Sequence, residues 1–261
     1  MSRHLRTLLA PVSAPLHNPP RVPVPGWLQF PTPRPQSRLI HTASAQQPVS
    51  DTIVDDEEAA FDRLVANHPL LAAFRAESAA ATTTTTPTPL NTNPLTPTDG
   101  IILSRSALLP SPAHVPYNLT CTTLSGPGLI SPRPYVFTDP ARGAVIAFYR
   151  LGRRLAGHSG LVHGGVLAAV LDECMCRACF GRLEKKIAVT ARLGVEYKAP
   201  VRVGGVVVVV AETGGVEGRK AWVDARVVKA EEGEGGKVLV KAEGLFVEPR
   251  WAGEMDGIYH G

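Results

Sequence analysis

Apolar residues in this chain change their spacing partway along it. From about residue 135 they come in short β-branched and aromatic runs, and Tyr135-Val136-Phe137 and Ala144 to Tyr149 read as strands. Between Gly165 and about Phe180 they fill nearly every position: Val166, Leu167, Ala168, Ala169, Val170 and Leu171, then Met175, Ala178 and Phe180. A helix on a protein surface keeps its apolar residues to one stripe, so this pattern predicts a long helix buried nearly all round. Four β-rich segments follow at about 187–198, 203–214, 219–230 and 237–248. Pro200, Gly214-Gly215 and the Glu231 to Gly236 loop mark the breaks between them, and a four-strand meander is expected. Val206 to Val210 is an unbroken β-branched run, as in a central strand covered on both faces. The predicted class is α+β, with a curved antiparallel sheet wrapped around one long central helix.

The chain before residue 135 has a different texture. Asp55-Asp56-Glu57-Glu58 opens an amphipathic stretch through Ala66, its acids suited to the positive end of a helix dipole. Pro69 can open a second short helix, Leu70 to Glu77. The Thr82 to Thr86 run and Pro87, Pro89, Pro94 and Pro97 form a low-complexity linker with nothing to bury. Residues 101–134 keep Pro110, Pro112, Pro116, Pro127, Pro132 and Pro134, which predicts an extended arm wrapping the domain rather than regular structure. The expected organisation is a leader at 1–47, short helices and linker at 48–100, the arm at 101–134 and the domain at 135–250.

Charge sharpens the reading of the leader. Its first 50 residues carry Arg3, Arg6, Arg21, Arg34 and Arg38 and no acid. The 22 basic residues that remain face 23 acidic ones, a net of −1 for 51–261. The basic character therefore belongs to the leader and gives no argument for a nucleic-acid partner. An Arg-rich, acid-free, Ser-containing N-terminus has the composition of a mitochondrial transit peptide, with cleavage expected near residues 41–48 and the mitochondrial matrix as destination. A Pro-rich extension without a targeting role is the other reading. No apolar run approaches the ~20 residues of a membrane-spanning helix. Cys174, Cys176 and Cys179 form Cys-x-Cys-x-x-Cys inside the predicted helix, where their side chains diverge. Small thiols packed against a helix fit that spacing better than a metal site, and no metal is expected.

Candidate chemistry concentrates where Gly157-His158-Ser159-Gly160-Leu161-Val162-His163-Gly164-Gly165 runs into the helix. Glycines let a ligand approach the backbone, and the first turn of a helix offers unpaired N–H groups that polarise a carbonyl. Asp172 adds a carboxylate among apolar neighbours, with no basic residue one turn before it, and burying such a group is costly. The adjacent Glu173 reads as a helix-surface acid. Asp172 lies eight residues past Gly164, roughly 12 Å at ~1.5 Å per residue, too far for both to act on one carbonyl. If they share a substrate, they come from two antiparallel copies of the helix, in sites related by a twofold axis.

His163-Gly164-Gly165 followed by Asp172 resembles the His-Gly-Gly-x₆-Asp signature of the phenylacetate-pathway (PaaI-type) thioesterases, whose hotdog fold is the helix-in-sheet arrangement predicted above. Val189 to Pro200 and Val216 to Lys220 are similar, in order and spacing, to mitochondrial long-chain acyl-CoA thioesterases of the thioesterase-superfamily-member-four type. The resemblance covers about residues 141–248. It implies hydrolysis of fatty acyl-CoA to free acid and coenzyme A, without a cofactor, by a homodimer or dimer of dimers. Asp172 would be general base or nucleophile, Thr190 would hold the water or orient Asp172, and a Gly164 or Gly165 amide of the other subunit would polarise the thioester. His163 would shape the loop. His158, in a place where some relatives carry Asn, joins Glu196, Lys198, Arg219 and Lys220 as candidate substrate contacts, the cations meeting phosphate. Val206 to Val210 then lines the core, a sheet-to-sheet contact or an acyl tunnel. Two alternatives stay open: a hotdog acyl-thioester dehydratase or hydratase, and a catalytically silent acyl-CoA-binding module.

Overall fold

The structure is a computed structural model that describes residues 51–81, 95–96 and 100–255. The expected leader, and most of the Thr/Pro linker, lie outside the described residues.

Seven strands form one sheet in the order β1-β2-β3-β7-β8-β9-β6. They are β1 (Ile102–Ser104), β2 (Tyr135–Asp139), β3 (Ala144–Arg150), β6 (Val189–Tyr197), β7 (Val206–Glu217), β8 (Lys220–Lys229) and β9 (Val238–Val247). All their pairings are antiparallel. A two-stranded ribbon of β4 (Ala156–His158) and β5 (Leu161–Val162) leads into the helix α3 (Gly164–Phe180). The hotdog fold expected from the sequence is present, a large antiparallel sheet with one long helix packed on it.

Alternation along β7 builds a layered core. Val207 and Val209 join the cluster around α3, whereas Val208 and Val210 join a second cluster on the opposite face. That second cluster is capped by α1 (Asp51–Ala66) and α2 (Pro69–Ala81) through Phe61, Val65, Leu71 and Phe74. The valine run is therefore buried on both sides because helices cover both faces of the sheet. His68, between α1 and α2, is buried; the Leu70 N–H donates to its Nδ1 at 3.2 Å and its Nε2 lies 2.8 Å from the Ala230 carbonyl. One nitrogen must accept while the other donates, which fixes the neutral ring. Burial pushes its pKa below the usual histidine range.

Four expectations need correction. The four C-terminal strands do not run as a simple meander, because β6 pairs with β9 at the sheet edge instead of with β7. Gly214-Gly215 does not end a strand: the β7 register shifts there as a bulge, and the chain turns at Gly218, whose φ is +55°. The arm at 101–134 is not wholly extended, since Ile102–Ser104 adds β1 to the sheet and Leu119–Thr123 makes a π-helical turn capped by the Asn118 side chain. Helix α3 is not buried all round. Its last two turns, Glu173 to Phe180, are buried, but Gly165, Ala168, Ala169 and Asp172 form a partly exposed stripe at i, i+3, i+4 and i+7.

Helices α1 and α2 belong to the packed structure rather than to a tether. Leu71 is 1% exposed. Leu71→Ala should therefore destabilise the fold by about 2–5 kcal/mol. Urea unfolding of the purified chain measures this, and an unchanged midpoint would mean that the helices do not contribute to the core.

Candidate active site

The helix start is prepared by a tight ribbon turn. Ser159-Gly160 links β4 to β5, with Gly160 at φ +74°, a conformation open to glycine. The His163 N–H donates to the Leu155 carbonyl at 2.8 Å and Val162 N–H to the Val201 carbonyl at 2.9 Å. His163 then caps α3: its backbone is extended and its Nδ1 accepts from the Gly165 N–H at 2.9 Å. Gly157 closes the other side of this ring, for a Cβ there would lie 2.8 Å from His163 Cδ2. His163 thus holds one of the two predicted amide donors itself. The Gly164 N–H makes no hydrogen bond among the described residues and remains available. On its carbonyl side, Gly164 accepts 2.7 Å from Tyr197 Oη.

Eight residues later the helix presents Asp172, half-buried, with Thr190 of β6 donating to its Oδ1 at 2.7 Å. Burial raises the Asp172 pKa, and the Thr190 hydrogen bond partly opposes this by favouring the carboxylate. Thr190 uses its one proton on Oδ1, which leaves Oδ2 free to accept.

Because β6 runs antiparallel to α3, the predicted residues divide into two groups. Thr190 sits at the Asp172 end, and the β8–β9–β6 register carries Arg219 and Lys220 to the same end, with both Lys220 and Val189 opposite Val247. Tyr197, Glu196 and Lys198 sit at the helix-start end with His158, His163, Gly164 and Gly165. Within one chain the structure brings Asp172 to Thr190 but not to the glycine amides. Lys198 is engaged in an ion pair with Glu196, and Arg219 Nη1 donates to the Glu248 carbonyl at 2.8 Å. Lys220 is exposed and has no ion-pair partner among the described residues. His158 is exposed on the ribbon.

Two residues escaped the sequence reading. Tyr197 lies inside the motif used above, but only the antiparallel course of β6 shows that its phenol meets Gly164. Glu173 is the larger surprise, since it is buried and not a surface acid. Its carboxyl lies 2.6 Å from Thr120 Oγ1, which in turn lies 3.2 Å from Asn118 Oδ1. A hydroxyl has one proton and cannot donate to both. The shorter contact takes it: Thr120 Oγ1 donates to the Glu173 carboxyl, and Asn118 Oδ1 is satisfied by the Thr120 and Cys121 N–H groups. Desolvation, reinforced by the neighbouring Asp172 charge and opposed by the Thr120 bond, brings the Glu173 pKa to about 7. The cysteine run is buried as expected. Burial lifts the Cys174 and Cys179 thiols to about 12, and Cys176 and Cys179 donate to the Ala188 and Cys176 carbonyls.

Comparison with known proteins adds a match over part of the chain. Residues 159–235, which include the ribbon turn, α3 and β6 to β8, match the Thioesterase superfamily. An "Uncharacterized protein, mitochondrial" of Candida albicans is 32% identical over 130 residues, 49% of this chain and 58% of that one. The acyl-coenzyme A thioesterase THEM4 of Rattus norvegicus is 31% identical over 114 residues, 43% of this chain and 46% of that one. The chain thus spans about half the length of these curated relatives. Among solved structures, the E. coli PaaI protein matches 52% of this chain and 90% of its own, at 16% identity and a TM-score of 0.41.

The Glu173 geometry has a measurable consequence. Its folded pKa of about 7 lies above the ordinary 4.5, so the folded chain holds a proton that the unfolded chain has released. Stability is therefore lost as pH rises from 4.5 through about 7. Glu173→Gln, which keeps an acceptor for Thr120, should be more stable than the native chain at alkaline pH by roughly 3 kcal/mol. The two should unfold alike near the ordinary glutamate pKa. Denaturant titrations at both ends of the range test this, and a difference independent of pH would show that Glu173 is not held as an acid.

Proposed function

We propose that this chain, whose residues 159–235 match the Thioesterase superfamily, hydrolyses acyl-CoA thioesters in the mitochondrion, with Asp172 as the catalytic carboxylate. The observation that carries the reading is the half-buried Asp172, its Oδ1 held by Thr190 and its Oδ2 open. A mitochondrial place is supported by the acid-free Arg-rich leader and by relatives whose names say mitochondrial. The acyl-CoA substrate is supported by the THEM4 relatives.

The chemistry needs no group beyond the chain and water. Asp172 Oδ2 takes a proton from water as the hydroxide oxygen bonds to the thioester carbonyl carbon. The developing oxyanion is stabilised by the Gly164 N–H at the positive end of α3. Collapse breaks the C–S bond, and coenzyme A leaves as thiolate, with the free acid as the other product. Direct attack by Oδ2 on the carbonyl carbon uses the same groups and forms an anhydride that water then opens.

The 12 Å or so between Gly164 and Asp172 along one helix makes the site a shared one. In an antiparallel pair, the Gly164 of each α3 lies beside the Asp172 of its partner. Two features support this assembly. The stripe Gly165, Ala168, Ala169 and Asp172 carries small side chains that allow a second helix to approach closely. Among the described residues β6 pairs only with β9, and its other edge is open to a symmetric antiparallel partner. The same pairing carries Lys198 and Tyr197 of one subunit toward Arg219 and Lys220 of the other.

Asp172→Asn preserves the acceptor for Thr190 while removing the base. It should lower kcat for acyl-CoA by about 10²–10⁴-fold without loss of thermal stability, since a raised acid pKa marks a charge that the fold disfavours. Gly164→Pro deletes the proposed donor at the first helical position, which accepts proline, and the extended His163 before it fits as well. Each variant alone should be inactive. When the two are unfolded and refolded together, mixed dimers hold one intact site, and thiol release should return. No return on mixing would place the whole site in a single chain, and full activity of Asp172→Asn would end the hydrolase reading.

A further inference from the structure

The arm encloses a cavity of about 300 Å³ on a different side of α3 from Asp172. Thr120 and Tyr149 in its wall meet Glu173 and Cys174 of the helix. Those positions stand about 100° and 200° round from Asp172, which instead meets Thr190. Every residue lining the cavity lies between 105 and 149, outside the stretch matched to the thioesterase family.

Its chemistry is two-sided. Ala107, Leu108, Leu109, Val115 and Ile130 make an apolar wall, while Arg105 and Arg133 are its charged members, with no acid among the lining residues. Arg105 Nη2 donates to the Arg133 carbonyl at 2.8 Å, its guanidinium stacks over Tyr135, and Glu58 lies 3.7 Å away. Even so, Arg105 Nε is buried without a hydrogen-bond partner among the described residues, a donor in want of an acceptor. Arg133 is exposed, and its guanidinium has no ion pair or hydrogen bond among the described residues. After Glu58 offsets one cation, the other remains.

We propose that this cavity binds a free fatty carboxylate, its chain on the apolar wall and its head group between Arg105 and Arg133. At the ~30 Å³ that a water-sized group occupies, the volume holds roughly ten such groups, so the chain is of medium length. An uncharged lipid would leave the cations unanswered, and a nucleotide or peptide would waste the apolar wall. Hydrolysis of an acyl-CoA would supply this ligand, but the binding site stands apart from the thioester site and does not rest on that reading. A bound acid would press on the Thr120–Glu173 contact and so on α3.

Isothermal titration of the full chain with decanoate and with decanol tests the assignment. Decanoate should bind saturably, at one per chain, and at least tenfold more tightly than decanol. Arg133→Gln, at an exposed position that leaves the fold intact, should weaken decanoate at least fivefold. Leu109→Trp, which fills the cavity from its wall, should abolish binding with Asp172 untouched. Absence of saturable binding, equal affinity for decanol, or unchanged binding in Arg133→Gln overturns the proposal. Unchanged binding in a folded Leu109→Trp chain overturns it too, by moving the acid to another site.

Discussion

The apolar contact between α3 and one face of the sheet sets the position of everything else. Val207 and Val209 of β7 meet the helix side, and Val136, Val145 and Ala147 extend that surface across β2 and β3. Once the last two turns of α3 are sealed there, the helix can neither rotate nor slide without exposing Leu171, Met175 or Phe180. That fixed rotation decides which side chains meet water, and the same strand leaves Val208 and Val210 on the reverse face for α1 and α2 to cover.

Fixed rotation is also what separates two adjacent acids. Asp172 falls on the stripe left partly open, against Thr190 of an edge strand, whereas Glu173, about 100° further round, points into the arm. One carboxyl keeps an oxygen free, and the other is enclosed with Thr120 and Asn118. Burial raises both pKa values. The outcomes differ because desolvation of an enclosed acid outweighs the hydroxyl bond that favours its charge, while an acid facing an opening can ionise and act on what arrives there.

Much of this was legible in the sequence for a simple reason. Strand and helix periods are local, so Tyr135 to Phe137, Ala144 to Tyr149, the Gly165 to Phe180 run and the later β-rich segments emerged close to their observed limits. The candidate site rests on equally local facts, a glycine-bounded helix start and an acid among apolar neighbours, and the structure contains both features. Partner choice was not, because nothing in residues 187–198 states that β6 pairs with β9 rather than β7. Gly214-Gly215 misled for a related reason, as paired glycines mark either a turn or a bulge, and only the facing strand decides which. Glu173 was misread because its enclosure comes from Thr120, 53 positions away in a segment whose prolines suggested no regular structure. Gly165 was offered as an amide donor equal to Gly164, but the His163 side chain takes its N–H, a tertiary detail of one ring orientation.

The coverage of the reverse face bears on how the proposed shared site could assemble. With α1 and α2 seated over β2, β3 and β7, that part of the sheet is closed to a second copy. Among the described residues the outer side of β8, β9 and β6 remains open, but it carries Glu196, Asp224 and Glu243 beside Arg226 and Lys241, a charged surface that is costly to bury against itself. The stripe on α3 and the free edge of β6 lack that obstacle. They offer small side chains and unpaired backbone groups, which a twofold partner satisfies in both copies at once. The surface best suited to pairing is thus the one that carries Asp172, as the proposed shared site requires.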